Sequence, residues 1–201
     1  MAKVKVLVKG EHYKNEDGSL RLYSSSTLIK SDKNIVVDTG SFLEKDTLIK
    51  NLKEENLSPE DIEIVVLTHM HLDHVVNIGL FKNAKVYCKF KGQSDYPGQF
   101  HDVKTGTAQR TEISDGVKLT EEVEFILTPG HTPDMISVVI DTADGKVVVT
   151  GDAFPDSSFL DKEKQPNPML NDVEEFNKSR NKILKIADYI VPGHGDIFKV
   201  E

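Results

Sequence analysis

Apolar and polar residues alternate along Val4–Val8, which predicts a half-buried strand. Glu11–Ser19 reads as a polar turn with Asp17-Gly18 at its tip, and Tyr23–Lys30 as the return strand. Asn34–Asp38 is a short apolar strand stopped by Thr39-Gly40. The period then changes: Phe42, Leu43, Leu48, Ile49 and Leu52 mark an amphipathic helix over Phe42–Glu55. Ser58-Pro59-Glu60-Asp61 is a helix-start signal that opens a single turn. The apolar run Ile62–Leu67 predicts a buried strand, followed by a short helix through Ile78 and Leu80 and a strand at Ala84–Cys88.

Lys91–Gly106 is polar and holds three glycines and a proline, so it reads as a long surface loop. Short strands are expected around Gln109–Ile113 and Val117–Leu119, with Asp115-Gly116 as their turn. Val123–Leu127 runs into Thr128-Pro129-Gly130-His131, and Met135–Asp141 with Lys146–Thr150 forms a hairpin about Asp144-Gly145. A proline-rich loop, Phe154–Asn171, precedes a helix whose first turn carries Asp172 and Glu175 in capping-box spacing. Val173, Phe176, Ile183, Leu184 and Ala187 form its inward face. The chain closes with a strand at Tyr189–Val191, the turn Pro192-Gly193-His194-Gly195, and Ile197–Val200.

Several of these apolar strands end in a residue that can hold a metal. Ile62–Leu67 precedes His69, Val123–Leu127 precedes His131, Val147–Thr150 precedes Asp152, Tyr189–Val191 precedes His194, and Asn34–Val37 precedes Asp38. Strands stacked in sheets line such ends along one edge, where loops build a site. The densest stretch is Thr68–His74, with three histidines and an aspartate in six residues. In an extended segment His69, His71 and Asp73 alternate onto one side. Asp73 and His74 turn away where a helix begins and suit a second ion. Imidazole and carboxylate are donors that Zn²⁺ accepts well, and less selectively Mn²⁺ or Fe²⁺.

Composition adds limits. The 201 residues suffice for one domain, 1–201, with a sizeable core, and the 29% charged residues are those of a globular protein. A net charge of −8 argues against a broad polyanion-binding surface, although metal ions would supply local positive charge. Cys88 is the sole cysteine, so no intramolecular disulfide forms; it reads as core filling, and a cytoplasmic location is expected. No apolar run reaches membrane-spanning length and no membrane association is expected. No protein partner is evident, and a homodimer stays open. His12 and His101 lie in polar stretches and read as surface histidines, with His101 the better candidate for a cleft wall.

THMHLDH at Thr68–His74, TPGH at Thr128–His131, GD at Gly151–Asp152 and PGHG at Pro192–Gly195 resemble, in order, the motifs of the metallo-β-lactamase superfamily. Asp38 in Val37-Asp38-Thr39-Gly40 matches its opening aspartate. Asn77–Phe81, Ser179-Arg180, Ala187-Asp188 and Val191–Gly195 are similar to the metallo-β-lactamase domain-containing protein 1 family. The resemblance spans essentially the whole chain. It implies an α+β fold: an αββα sandwich of two mixed β-sheets with helices on the outer faces. It further implies one zinc on His69, His71 and His131, a second on Asp73, His74 and His194, and Asp152 bridging them. Asp38 would stand behind the ligands and orient an imidazole. Asp73 and Asp152 would also hold and relay protons.

The expected activity is hydrolysis by a metal-bridging hydroxide of a phosphodiester, ester, thioester or lactone bond. The substrate would be a small molecule or a nucleic-acid phosphodiester. The alternative on the same fold is a mononuclear-iron persulfide dioxygenase using His69, His131 and Asp152. Neither a C-terminal helical domain of the glyoxalase II type nor a nuclease cap is expected. β-Lactamases place Cys where Asp152 stands, and acyl-homoserine lactonases place Tyr at the position of Pro155.

Overall fold

The computed structural model describes residues 1–89 and 99–200. Strands β1 (Lys3–Val8), β2 (Glu11–Lys14), β3 (Leu20–Tyr23), β4 (Ser26–Lys30) and β5 (Asn34–Val37) lead to helix α1 (Lys45–Glu54). β6 (Ile64–Val66), α2 (Leu72–Val75), β7 (Lys85–Cys88), β8 (Gln99–Asp102) and β9 (Thr107–Arg110) follow. The second half carries β10 (Val123–Leu127), β11 (Ile136–Thr142), β12 (Gly145–Gly151), α3 (Val173–Leu184), β13 (Tyr189–Pro192) and β14 (Phe198–Lys199). Among the described residues these strands make a sheet ordered β1-β4-β5-β6-β7-β8-β9, a second ordered β10-β11-β12-β13-β14, and a separate β2-β3 ribbon.

Strand alternation sorts the apolar residues into layers. Ile35, Val37, Ile64 and Val66 of the first sheet meet Phe125, Val138, Ile140, Val147 and Val149 of the second in one buried cluster. The intervening Val36 and Val65 point the other way and pack with Leu48 and Leu52 of α1. On the opposite outer face Val139, Val148 and Ile190 pack with Phe176 and Ile183 of α3. The result is the αββα sandwich. Each residue type lies where its period put it.

Direction decides where the site falls. β5–β6 and β6–β7 are parallel, so Val37 and Val66 end at one edge. β12–β13 is parallel and β10 runs with them through antiparallel β11, so Leu127, Gly151 and Pro192 end together. The two edges are joined where Ile136 N–H donates to the carbonyl of Thr68 at 3.0 Å.

Six expectations need correction. The Glu11–Ser19 turn contains strand β2, and the strand expected over Tyr23–Lys30 breaks at Ser24-Ser25. Those two serines bond to the site loops instead: Ser24 N–H to the Asp73 carbonyl and Ser25 N–H to the Gly193 carbonyl. Phe42 and Leu43 are exposed, because they occupy a 3-10 turn (Phe42–Glu44) and the α-helix starts at Lys45. Of the loop expected at Lys91–Gly106, residues 91–98 lie outside the described residues, and Gln99–Asp102 is strand β8, paired with β7 and β9. Val117–Leu119 runs beside β10 with only an isolated bridge, Lys118 to Glu124. At α3 half of the expected capping box forms: Asp172 accepts from Glu175 N–H, while the Glu175 carboxylate pairs with Lys178.

Candidate metal centre

The buried strand β6 delivers Thr68 and His69 to the edge, and the chain turns there instead of staying extended. α2 starts at Leu72, so Asp73 and His74 sit in a helical turn that folds back under the edge. His69 and His74 are buried, while His71 remains exposed. His69 and His71 stay together, while Asp73 and His74 turn away where the expected helix begins. A bend in the chain separates them into two sets.

His69, His71, His131 and Asp152 each offer a ligand atom within 4.8 Å of the others, and Asp73, His74 and His194 do the same. Asp152 lies between the sets. Its Oδ2 is 3.2 Å from His131 Nε2 and 3.9 Å from His69 Nε2. Its Oδ1 is 3.4 Å from His194 Nε2 and 3.5 Å from His74 Nε2. Asp73 Oδ2 is 3.7 Å from both His74 Nε2 and His194 Nε2. Close approach of the backbone makes this possible: a Cβ on Gly193 would stand 1.9 Å from Asp152 Oδ1.

The far side of four rings is fixed by hydrogen bonds. His194 Nδ1 donates to the Tyr23 carbonyl at 2.9 Å, and His74 Nδ1 donates to Asp38 Oδ2 at 2.7 Å. The Thr68 hydroxyl donates to the same oxygen at 2.8 Å, which leaves it accepting from His69 Nδ1 at 3.0 Å. Asn171 Nδ2 donates to the Asn167 carbonyl, so its Oδ1 faces His131 Nδ1 and accepts from it at 3.0 Å. In its neutral form each ring thus carries its proton on Nδ1 and turns Nε2 to the centre. Asp38 lies on the far side of the His74 ring from the centre. It adopts φ 55 and also accepts from Thr68 N–H, so one carboxylate ties three groups.

His69 Nε2, His74 Nε2 and Asp152 Oδ1 are buried without a hydrogen-bond partner. Buried polar atoms are rarely left so. Three converging imidazoles and carboxylates of this kind fit divalent cations. Burial, reinforced by His74 alongside, pushes His69 well below the usual imidazole range. Burial opposes charge on His74 too, but the Asp38 and Asp152 carboxylates outweigh it and hold that ring well above the range. His194 is raised against its own burial by Asp152. Asp152 is held well below the carboxylate range, since His74 and His194 overcome the burial that would raise it. Cys88 is buried, its thiol pushed up to about 11 by desolvation and by Asp134, and belongs to the core as expected.

Of the two leftover histidines, His12 is exposed, as expected, and His101 is half-buried in a strand. His101 sits in β8 opposite Val86 and Ala108, within the sheet. His12, on the β2-β3 ribbon, brings its ring to 5.3 Å from that of His194. Asn171, the Tyr23 carbonyl and the two serines carry no signal in sequence. They act through contacts made across 40 residues (His131 to Asn171) and 171 residues (Tyr23 to His194).

Residues 20–194 match the family described as the metallo-beta-lactamase superfamily. The chain belongs to that superfamily. The metallo-beta-lactamase domain-containing protein 1 of Xenopus laevis is 34% identical over 199 residues, 98% of this chain and 81% of its own. A protein of Methanocaldococcus jannaschii named a probable metallo-hydrolase is 37% identical over 168 residues, covering 82% of this chain and 73% of its own. Among solved structures, a metallo-beta-lactamase candidate from Thermotoga maritima has the same fold (TM-score 0.76, 23% identity, 98% of this chain and 99% of that one). An N-acyl homoserine lactone hydrolase with N-hexanoyl-L-homoserine bound at its metal centre shares it too (TM-score 0.69, 18% identity, 96% and 92%). This superfamily member is accordingly a metallo-hydrolase by family. No described helix is long and apolar enough to cross a membrane.

Two outcomes follow from this geometry. A metal takes a lone pair that His74 and His194, with their raised pKa values, share with a proton. Zinc should therefore bind more tightly as pH rises from about 6 to 8, releasing protons, which calorimetry in buffers of different ionisation enthalpy reads directly. A pH-independent affinity would contradict it. Asp38→Asn keeps a residue tolerant of the left-handed backbone but removes the charge; zinc affinity should fall about 10–100-fold with the fold intact.

Proposed function

We propose that residues 1–201 form one dinuclear zinc hydrolase domain, with Mn²⁺ and Fe²⁺ as the other ions its ligands would take. The first ion would be held by His69, His71 and His131, the second by Asp73, His74 and His194, with Asp152 bridging. The observation that carries this reading is the placement of Asp152, which turns one oxygen to each set. Bound there, a metal pair supplies a water deprotonated near neutral pH and positive charge for a developing oxyanion.

The protein's own groups divide the remaining work. Asp152 is buried and stays ionised, so it anchors both sets and excludes bulk water from between them. Asp73 is the more open carboxylate, 14% exposed at its side chain, and lies at the mouth of the second set. It is the group placed to take a proton and hand it to the leaving atom. Asp38 and Asn171 keep the rings in the tautomer that leaves Nε2 free. The bond attacked is an ester, thioester, lactone or phosphodiester of a small molecule. The net charge of −8 speaks against a long polyanion. A mononuclear-iron centre on His69, His131 and Asp152 would leave Asp73, His74 and His194, which converge equally well, without a use.

Turnover by the zinc-loaded protein of an activated thioester, a lactone and an activated phosphodiester tests this. Asp152→Ala should cost about 3 kcal/mol or more of transition-state stabilisation, while His101→Ala should change it little. No activity of the loaded wild type on any of the three would sink the hydrolase reading. Undiminished activity of Asp152→Ala would sink the mechanism.

A further inference from the structure

Of the four rings backed by a hydrogen bond, His131 is the most open. His69, His74 and His194 are buried, whereas the His131 side chain is 17% exposed and its ring is held by Asn171. Asn171 ends the irregular stretch Phe154–Asn171, whose one short element is a 3-10 turn at Ser157–Leu160. That stretch needs an external tether to keep Asn171 in place.

α3 supplies one. Arg180 is buried, 4% exposed, and its guanidinium donates to the carbonyls of Lys164 (2.8 Å), Lys162 (3.1 Å) and Asp161 (3.5 Å). A buried guanidinium whose partners are backbone carbonyls is costly unless the geometry it fixes is needed. One residue earlier, the buried Ser179 hydroxyl donates to the Pro129 carbonyl at 2.6 Å, two positions before His131. The same helix also presses against the turn between them. A Cβ on Gly130 would lie 2.3 Å from the Phe176 backbone, and Asp172 N–H donates to the Gly130 carbonyl at 2.8 Å. Ser179 therefore holds the backbone that carries His131, and Arg180 holds the loop that carries its ring partner.

We infer that Ser179 and Arg180 are positioning residues for His131, setting its tautomer and direction from both sides. α3 thereby governs the His69–His71–His131 set. The effect on metal rests on the two-ion reading above; the effect on the ring does not.

The variants are Ser179→Ala, which removes one hydroxyl, and Arg180→Lys, which keeps the charge but loses the fork. In ¹⁵N-labelled metal-free protein, ring nitrogen correlations should show wild-type His131 protonated on Nδ1 alone. Both variants should show it as a mixture of tautomers, with His69, His74 and His194 unchanged. Zinc titration should show the class assigned to the first set weakened about 10–100-fold and the other class unmoved. His131 keeping its single form in both variants would overturn the inference, as would all four rings changing together. A single zinc class in wild type would refute the two-ion reading, while the ring spectra would still decide the clamp.

Discussion

Both sheets of this sandwich converge on one carboxylate. Asp152 sits at the turn after β12, close enough to Gly193 that a side chain there would collide with it, and reaches four histidines that follow three separate strands. A buried carboxylate is costly alone. It is tolerated here because His74 and His194 surround one oxygen and His69 and His131 the other. Remove those, and the edge would hold an unpaired charge between two apolar layers.

The same constraint explains the backbone around it. Parallel pairing of β5 with β6 and of β12 with β13 brings ligand-bearing turns to one edge, and the Thr68–Ile136 bond fastens the edges together. Ser24 and Ser25 interrupt what would otherwise be one long strand, so that the β2-β3 ribbon can lean over the second ligand set. Local strand propensity yields to the site at that point. Asp38, in a left-handed conformation, shows the same priority: strain is accepted where one carboxylate can fix Thr68, His69 and His74 at once.

Much of this was legible in the residues. Alternation such as Ile35-Val36-Val37 and Val147-Val148-Val149 identifies which side chains face the inter-sheet core, because strand period maps directly onto layer. All seven ligand candidates stand at strand ends or shortly after one, and the structure brings their side chains into two groups. What could not be read was tertiary. Nothing near Asn171 signals a partner for His131, and Phe42 and Leu43 fit a helical stripe by spacing yet lie in a turn facing solvent.

Arg180 places α3 in the same scheme. A helix whose apolar face is accounted for by Phe176 and Ile183 still buries a serine and an arginine, the first bonded to the turn before His131 and the second to the loop that leads to Asn171. The helix layer thus contributes order to the edge without contributing a ligand. The central claim, that two ions share Asp152, is tested most directly by elemental analysis of wild type and Asp152→Ala reconstituted side by side. Two zinc ions per wild-type chain, with loss of tight binding at both positions in the variant, is the predicted result. One tightly held iron and no second ion in wild type would contradict it.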